Sequence, residues 1–245
     1  MTKELLNLLA IESSSPVLTV ALKKGASPAK EKKLKGFVRH AENLLPLIDT
    51  LLRGEKISIS EVDVILLGRG PGSFTGLRVG FATVKGILAV HKKDCFGGLS
   101  LDMTAENASP DKYEKLCVAM DARRDMIYAR FYESRGSRWI PEEKAAVLSI
   151  DELSGRLHKG MALTGDALGR YRERILAGAA VPVLDLPEKD WYPKASVLIK
   201  WFEDYQRSGK RPAALEPLVK PEEFIPLYFR LSEAEERAAV HAKSS

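Results

Sequence analysis

The 245-residue sequence is poor in the side chains from which many catalytic and metal sites are built. Its four histidines lie far apart and form no HxxxH or HExxH pair, which is the usual helical pair of metal ligands. They are His40, His91, His158 and His241. The two cysteines, Cys95 and Cys117, lie in apolar runs and form no CxxC pair, which favours two reduced, buried thiols. We therefore predict no catalytic residue and no metal site in this chain.

Long apolar runs are also missing. No stretch approaches the roughly 20 apolar residues of a membrane-spanning helix, and the N-terminal letters MTKELLNLLAIESSS lack the long apolar region of a signal peptide. A content of 45% hydrophobic and 29% charged residues is ordinary for a soluble globular protein, and the length permits one large domain or two modest ones. We expect a cytoplasmic protein with no membrane partner. The net charge of +5 carries little weight until its distribution is known.

One pattern occurs twice along the chain. The apolar run LNLLAI ends at Glu12, the turn SSSP follows, and Val17 to Leu22 has the composition of a second strand. In the middle of the chain, LCVAM ends at Asp121, the turn DARRD follows, and Met126 to Tyr132 forms the second strand. This repetition indicates two similar halves made by duplication, with Glu12 and Asp121 at equivalent positions.

Other segments have simpler interpretations. Apolar residues at helical spacing predict a helix from His40 to Arg53, which either His40 or Asn43 could cap, and a second helix from Ala195 to Tyr205. The basic run from Lys23 to Arg39 is predicted to be a loop and a solvated edge strand; RNA binding is the less favoured interpretation, because Phe37 is its only aromatic residue. Residues 212–226 are predicted to be a proline-rich loop.

The most informative segment is GRGPGSFTGLRVG, residues 68–80, which follows a predicted buried strand and leads into a predicted helix. It matches neither the Walker A pattern nor GxGxxG. Backbone amides at the start of this helix could hold an anion. The simpler alternative is a tight turn with Ser73 as the helix N-cap. The candidate anion contacts are Arg69, Gly70, Gly72, Ser73 and Thr75.

Three glycines in this segment, Gly72, Gly76 and Gly80, recur every four residues. On a helix they line one face and remove its side chains, which lets another helix approach closely. Glycine in a helix costs about 1 kcal/mol relative to alanine, so the strip needs a compensating contact. We interpret the glycine strip first as a docking face and second as part of an anion site.

The same segment closely resembles the signature of the TsaB (YeaZ) family, and weaker matches follow in the right order over most of the chain. They are LAIESS, His40 with LLPLID, Asp121-Ala122-Arg123 with IYARFY, TGDA at residues 164–167, and PLYFR at residues 226–230. The resemblance implies two actin-like, sugar-kinase-like (ASKHA) α/β lobes, each a mixed sheet with flanking helices. We predict an N-terminal docking lobe over residues 1–108, a C-terminal lobe over 109–230 whose last helix packs back on the first lobe, and a flexible tail over 231–245.

The resemblance also implies a function. Members of this family are non-catalytic scaffold and activator subunits in the transfer of threonylcarbamoyl from threonylcarbamoyl-AMP to N6 of adenosine 37 in tRNAs that read ANN codons. The implied partners are the catalytic subunit TsaD, the ATPase TsaE and, through the complex, tRNA; metal and ATP belong to the partner subunits, and the isolated chain can pair with itself. The predicted partner interface comprises His40, Leu44, Leu47, Ile48, Leu51, Gly72, Phe74, Thr75, Gly76, Arg78, Val79 and Gly80.

Three alternatives remain open from the sequence. One is an active TsaD-like metal-dependent transferase or glycoprotease, against which the missing histidine pair argues. A second is an ATP-dependent kinase of the same fold, in which Glu12 and Asp121 would face a nucleotide; Glu12 stands where the family usually has aspartate. The third is an RNA-binding module that uses the run from Lys23 to Arg39.

Overall fold

A computed structural model describes residues 5–36, 39–219 and 224–229 of the chain. The predicted flexible tail, residues 231–245, lies outside these ranges. Two mixed β-sheets organise the described residues. The first sheet has the strand order β12-β5-β4-β1-β2-β3, with β1 Leu8–Glu12, β2 Val17–Lys23, β3 Lys30–Lys35, β4 Val64–Gly68, β5 Asp94–Gly98 and β12 Leu215–Pro217. The second has the order β11-β10-β6-β7-β8, with β9 also on β7: β6 Lys115–Asp121, β7 Met126–Ser134, β8 Trp139–Pro141, β9 Ala146–Ser149, β10 Ala162–Thr164 and β11 Leu184–Asp185.

The two sheets repeat one topology. In the first, β1 pairs antiparallel with β2 and parallel with β4, which is in turn parallel to β5. In the second, β6 pairs antiparallel with β7 and parallel with β10, which is parallel to β11. The predicted duplication of a hairpin that follows an acidic strand end is therefore confirmed. Glu12 ends β1 and Asp121 ends β6, at the same place in each sheet.

Burial explains why the central strands carry almost no polar residues. Every residue of β1 and of β4 is buried, as expected for strands that have helices on both faces of the sheet. The helices that cover the two sheets are α1 His40–Glu55, α2 Phe74–Val90, α3 Ser100–Ala105, α4 Ile150–Gly155, α5 Leu168–Gly178 and α6 Ala195–Ser208.

Each sheet has its own covering layers. Helices α1 and α2 share one apolar cluster with β1, β2 and β4, and α6 shares a second cluster on the other face of the first sheet. Helices α4 and α5 cover one face of the second sheet. Helix α3 belongs to both halves, because Met103 packs with α6 and the first sheet while Leu101 and Ala105 pack against β6 and β7.

Several details differ from the sequence-based predictions. Helix α1 begins at His40 without a side-chain cap, and the Asn43 side chain instead donates a hydrogen bond to the Arg39 carbonyl oxygen (2.8 Å). Pro46 lies in the second turn of this helix. Strand β5 was not predicted, and β12 lies within the segment predicted to be a loop; three residues alone give no alternation pattern from which a strand could be recognised.

The predicted domain boundary near residue 108 falls between α3 and β6, and the division into lobes remains a prediction. In the described structure α6 and β12, although late in the chain, pack with the first sheet. No described helix is both long enough and apolar enough to cross a membrane.

A buried ion pair connects α3 to the second sheet. The Arg130 guanidinium on β7 donates to both carboxylate oxygens of Asp102 on α3, at 2.7 and 2.9 Å, and the Tyr132 hydroxyl donates to the same carboxylate at 2.7 Å. Burial raises the pKa of Asp102, while Arg130 and Tyr132 lower it. The carboxylate is thus held in the interior by three hydrogen bonds.

We predict that Arg130→Met lowers the free energy of unfolding by about 3 kcal/mol, because Asp102 would stay buried without its charged partner. The double variant Asp102→Asn/Arg130→Met removes the unpaired charge and is expected to recover part of this loss. Urea denaturation of both variants measures the difference. A cost below about 0.5 kcal/mol for Arg130→Met would contradict the structural importance of this pair.

Candidate functional site

The acid at the end of β1 is the centre of the candidate site. Glu12 is fully buried, and each of its carboxylate oxygens accepts a hydrogen bond. The Ser14 backbone N–H donates to one oxygen (2.5 Å), and the Ser100 hydroxyl donates to the other (2.8 Å). Burial raises the pKa of Glu12, and these hydrogen bonds lower it again in part. The acid is therefore held between the β1–β2 turn and α3.

Gly68, at the end of β4, makes room for this acid. A Cβ atom built on Gly68 would lie 1.8 Å from an oxygen of Glu12 and 2.6 Å from its carboxyl carbon. Both distances are too short for atoms that are not bonded to each other. The longer side chain of glutamate reaches over the neighbouring strand, so Gly68 has to lack a side chain. The glycine that begins the signature segment is thus explained by a contact inside the chain.

Ser100 connects the acid to the glycine-rich loop. Its hydroxyl accepts a hydrogen bond from the Gly70 N–H (3.2 Å), and its own N–H donates to the Gly70 carbonyl oxygen (2.7 Å). The Arg69 N–H donates to the Gly98 carbonyl oxygen at 2.8 Å. The backbone of the loop is therefore bound on its inner side by α3 and by the end of β5.

The glycine strip of α2 faces the chain's own β1–β2 turn. Built Cβ atoms on Gly72 and Gly76 would lie 2.2 and 2.1 Å from the carbonyl oxygens of Ser14 and Ser13, and one on Gly80 would lie 2.4 Å from the Ser13 hydroxyl. The prediction that this strip leaves a flat face for a second helix is therefore wrong. The close partner that compensates for the glycines is the turn that follows β1.

The start of α2 is closed by its own residues. Ser73 is the N-cap, as predicted, since its hydroxyl accepts a hydrogen bond from the Gly76 N–H (3.2 Å), while its own N–H donates to the Ser14 carbonyl oxygen (2.7 Å). Arg69 is buried and forms an ion pair with Glu216. Of the predicted anion contacts, Thr75 is exposed to solvent. An anion at this helix start remains a prediction, and Arg69 is directed to a carboxylate instead.

A short C-terminal segment, residues 224–229, lies along the outer side of the glycine-rich loop. The Leu227 N–H donates to the Arg69 carbonyl oxygen (2.8 Å), and the Tyr228 ring stacks on Phe74 with centroids 4.7 Å apart. Phe229 then contacts the edge of the Tyr128 ring on β7, at 6.2 Å. Reasoning from the sequence missed this segment, although its letters PLYF belong to one of the weak family matches.

The predicted partner interface divides into buried and exposed residues. Six of its members are buried within the chain, so the structure places them away from the outer surface of the helices, and the interface itself stays a prediction. They are His40, Leu44, Ile48, Leu51, Gly76 and Gly80. Leu47, Gly72, Phe74 and Val79 are half-buried, and Thr75 and Arg78 are exposed. Two exposed apolar residues of the same helices were missed, Leu45 and Val90, at 59% and 78% exposure.

His40 is one of these buried residues. It is 1% exposed and lies against the β1–β2 turn, where a Cβ atom on Gly76 would lie 3.3 Å from its Nδ1. Burial lowers the pKa of His40, while hydrogen bonding with the backbone of Pro16 and Ser13 raises it. The family-like histidine therefore packs inside the chain, against the β1–β2 turn.

The equivalent acid in the second half has a different environment. Asp121 accepts a hydrogen bond from the Arg123 N–H (2.7 Å) and forms an ion pair with the Arg123 guanidinium (3.2 Å). The neighbouring Asp166 accepts the Asp121 N–H at 2.8 Å. Removal from water raises the pKa of Asp166 to about 7, an effect that the Asp121 N–H partly opposes. Asp166 lies within the family match TGDA, and the sequence analysis did not single it out.

Both thiols are buried, as predicted, and burial raises the pKa of Cys95 to about 12 and raises that of Cys117 as well. Within residues 5–36, 39–219 and 224–229, no three His, Cys, Asp or Glu side chains are grouped in a way that could hold a metal ion.

Comparison with known proteins gives several matches. A family model described as TsaD, tRNA N6-adenosine threonylcarbamoyltransferase, matches residues 29–183, which is more than half of the chain. The tRNA threonylcarbamoyladenosine biosynthesis protein TsaB of Escherichia coli is 26% identical over 156 residues, covering 63% of this chain and 67% of the relative. TsaB of Haemophilus influenzae is 32% identical over 124 residues, covering 50% and 52%.

The solved structures give a fuller overlap. The structure of YeaZ from Pseudomonas aeruginosa superimposes with a TM-score of 0.74 at 26% identity, and covers 91% of this chain and 99% of the solved one. Together with the duplicated sheets, this likeness confirms the predicted actin-like, sugar-kinase-like fold class.

The contact between Glu12 and Gly68 yields a testable coupling. We predict that Gly68→Ala destabilises the chain by about 3 kcal/mol, because the added methyl group forces a buried carboxylate to move. In a Glu12→Asp background the side chain is one methylene shorter, so the same substitution is expected to cost at least about 1 kcal/mol less. Free energies of unfolding in urea, measured for the two single variants and the double variant, give the coupling.

Gly86→Ala is the matched control, since a Cβ atom there meets nothing within 4 Å. It is expected to leave stability unchanged or to raise it slightly, because alanine favours the helix. Equal costs for Gly68→Ala in both backgrounds would contradict the steric explanation.

The raised pKa of Asp166 predicts a pH dependence. The folded chain retains the Asp166 proton up to about pH 7, whereas the unfolded chain releases it near the ordinary value of 3.8. The stability that the protonated group contributes is therefore present below about pH 4 and is lost as the pH rises towards 7. Asp166→Asn should remove this loss, which amounts to at most about 4 kcal/mol, since one pKa unit corresponds to about 1.4 kcal/mol.

Urea denaturation of wild type and Asp166→Asn at pH 4, 6 and 8 measures this effect. The variant is expected to gain stability relative to wild type as the pH rises, whereas Asp49→Asn, on the exposed face of α1, should not. A difference between wild type and Asp166→Asn that is constant with pH would show that Asp166 titrates normally.

Proposed function

The chain belongs to the family of the tRNA N6-adenosine threonylcarbamoyltransferase model, in its TsaB (YeaZ) branch, and takes part in threonylcarbamoyladenosine biosynthesis in tRNA; from this premise we propose that it is a non-catalytic subunit. In this proposal it binds the catalytic subunit TsaD and activates it. TsaD then transfers threonylcarbamoyl from threonylcarbamoyl-AMP to N6 of adenosine 37, in tRNAs that read ANN codons. The complex acts in the cytoplasm, and the ATPase TsaE and tRNA join it.

The main support for this proposal is that the Glu12 carboxylate is already hydrogen-bonded within the chain. In an active enzyme of this fold, the acid at the end of the first strand would help to arrange a metal ion and phosphate. Glu12 is fully buried, and both of its oxygens already accept hydrogen bonds from Ser14 and Ser100. A nucleotide could reach it only after the β1–β2 turn had moved. This favours a subunit whose metal and ATP are held by its partners, and it weakens the kinase alternative.

The glycine-rich loop supports the same conclusion. On its inner side the loop is hydrogen-bonded to Ser100, and the Glu12 carboxylate occupies the space where a side chain at Gly68 would lie. On its outer side lies the segment around Leu227. A phosphate loop, by contrast, directs its free backbone amides to the ligand. The internal contacts make the loop a packed joint between β4 and α2, which holds α2 in a fixed position on the sheet.

The surface that this joint positions is the outer side of α1 and α2. We define the helix-pair face as the exposed residues Leu45, Ala82 and Val90 together with the half-buried Leu47, Phe74 and Val79, of which Phe74 is partly covered by Tyr228. Leu45 and Val90 are exposed apolar residues on neighbouring helices that share one core cluster. Exposed apolar side chains on an outer helix surface are common in protein-binding sites. We propose that TsaD packs here, and that a second copy of the chain occupies the same face in its absence.

We predict that Leu45→Arg abolishes co-purification with the catalytic subunit and lowers tRNA modification at least tenfold, because it places a charge in an apolar interface. Leu184→Arg is the matched control, since it makes the same change at 50% exposure on β11 of the other half. It should leave pairing and modification unchanged. Thermal unfolding of both variants checks that each remains folded.

The experiment requires the two subunits, the ATPase, unmodified tRNA and threonylcarbamoyl-AMP, with product measured with and without this chain. Modification at an equal rate without the chain would overturn the activator role. Normal pairing of Leu45→Arg, with the same affinity as wild type, would overturn the location of the interface.

A further inference from the structure

One short segment carries the whole charge surplus of the chain. Residues 23–35, which we call the lysine edge, contain six lysines and one glutamate, a net charge of +5. The formal net charge of all 245 residues is also +5, so the rest of the chain is balanced. The segment includes β3, the outermost strand of the first sheet, whose residues are exposed except for the half-buried Leu34. The net positive charge of the protein is therefore accounted for by this one segment.

The register places lysines on both sides of this edge. Lys30 forms an ion pair with Glu55 of α1, so Lys30 and Lys32 point to the side of the sheet that α1 covers. Glu31 accepts a hydrogen bond from the Ser196 N–H of α6, so Lys33 points to the opposite side. Alternate residues of a strand are about 6.7 Å apart, so the charges form two parallel rows about 20 Å long.

Half of these charges are compensated and half are not. Lys23, Lys30 and Lys35 form ion pairs with Glu203, Glu55 and Glu188. Lys24 donates to the Glu55 carbonyl oxygen (2.9 Å), which leaves its charge unneutralised. For Lys32 and Lys33 the described part of the chain contains no ion-pair partner. Lysines protect an exposed edge strand from unwanted pairing, and charges that no carboxylate neutralises can in addition attract an anionic partner.

We propose that the lysine edge binds the phosphate backbone of the tRNA substrate, with Lys24, Lys32 and Lys33 as the phosphate contacts. Protein-binding surfaces are depleted of lysine and are anchored by aromatic or aliphatic side chains, whereas lysine is a common contact to nucleic-acid phosphates. Apart from the half-buried Leu34, β3 offers no such anchor. Contacts of this kind fix the position of the RNA without reading its sequence.

The location of the edge fits the proposed function, on which this inference rests. Helix α1 packs on β2 and forms the Lys30–Glu55 ion pair with β3. A catalytic subunit bound to the helix-pair face would therefore lie beside the lysine edge. An RNA held in its active site could extend along β3, and the chain would then contribute to substrate binding as well as to activation.

The test uses the full chain, alone and in complex with the catalytic subunit, and an unmodified tRNA transcript. Lys32→Gln/Lys33→Gln removes two charges, Lys32→Arg/Lys33→Arg retains them, and Lys112→Gln/Lys159→Gln removes two exposed charges from the second half as the matched control. The dissociation constant for tRNA is measured from 50 to 300 mM salt, together with kcat and KM of the complex for tRNA.

We expect the glutamine pair at the edge to weaken tRNA binding on the order of tenfold near 0.1 M salt, and to reduce the slope of log K against log salt by about 2. KM for tRNA should rise with kcat unchanged, while the arginine pair and the control behave as wild type. Retained co-purification of the glutamine pair with the catalytic subunit separates this effect from a failure of the proposed interface.

Two results would overturn the inference. Unchanged affinity and salt slope for the glutamine pair would mean that the lysines only protect the edge. Loss of binding to a protein subunit, with tRNA binding by the chain alone unchanged, would assign the edge to an acidic protein. If the wild-type chain neither pairs with nor activates the catalytic subunit, the proposed function fails, and tRNA binding by the chain alone still decides this inference.

Discussion

A carboxylate that is removed from water has to receive hydrogen bonds, and the surroundings of Glu12 are arranged to supply them. Ser14 donates from the β1–β2 turn and Ser100 donates from the first residue of α3. The length of the glutamate side chain in turn requires glycine at position 68. Through Ser100 the acid also fixes Gly70, and through the turn it fixes the residues that fill the glycine strip of α2. One buried acid thus connects the β1–β2 turn, the glycine-rich loop and helices α2 and α3.

Helix α3 extends this constraint to the second half. Ser100, at its start, is bonded to the acid of the first sheet, and Asp102, two residues later, is paired with Arg130 of the second sheet. Two buried polar contacts on one six-residue helix therefore connect the two sheets. Phe229 adds a third connection by packing against Tyr128. Such connections oppose relative movement of the halves, a property that suits a subunit whose proposed role is to hold a fixed surface toward a partner.

The polar centre of the fold is used for internal contacts, so the outer surfaces are left for binding. The helix-pair face offers apolar side chains, and the lysine edge beside it offers unpaired positive charge. The two surfaces have different chemistry and flank the same helix, α1. In the proposed function, the chain binds the catalytic subunit on the first surface and RNA on the second.

The sequence alone determined the duplicated strand, acid and hairpin pattern, the Ser73 cap, the solvated edge strand and the family, because each depends on residues close together in the chain. The assignment of faces could not be read in this way. The spacing of apolar residues in α1 and of glycines in α2 indicates that another segment packs closely against each helix. It does not indicate which segment, or whether that segment belongs to the same chain. Only the tertiary structure decided that Leu44 and Ile48 cover the chain's own sheet, and that Gly76 meets Ser13. These contacts join segments that are distant in sequence, and a local pattern contains no information about which distant segment fills the space beside it.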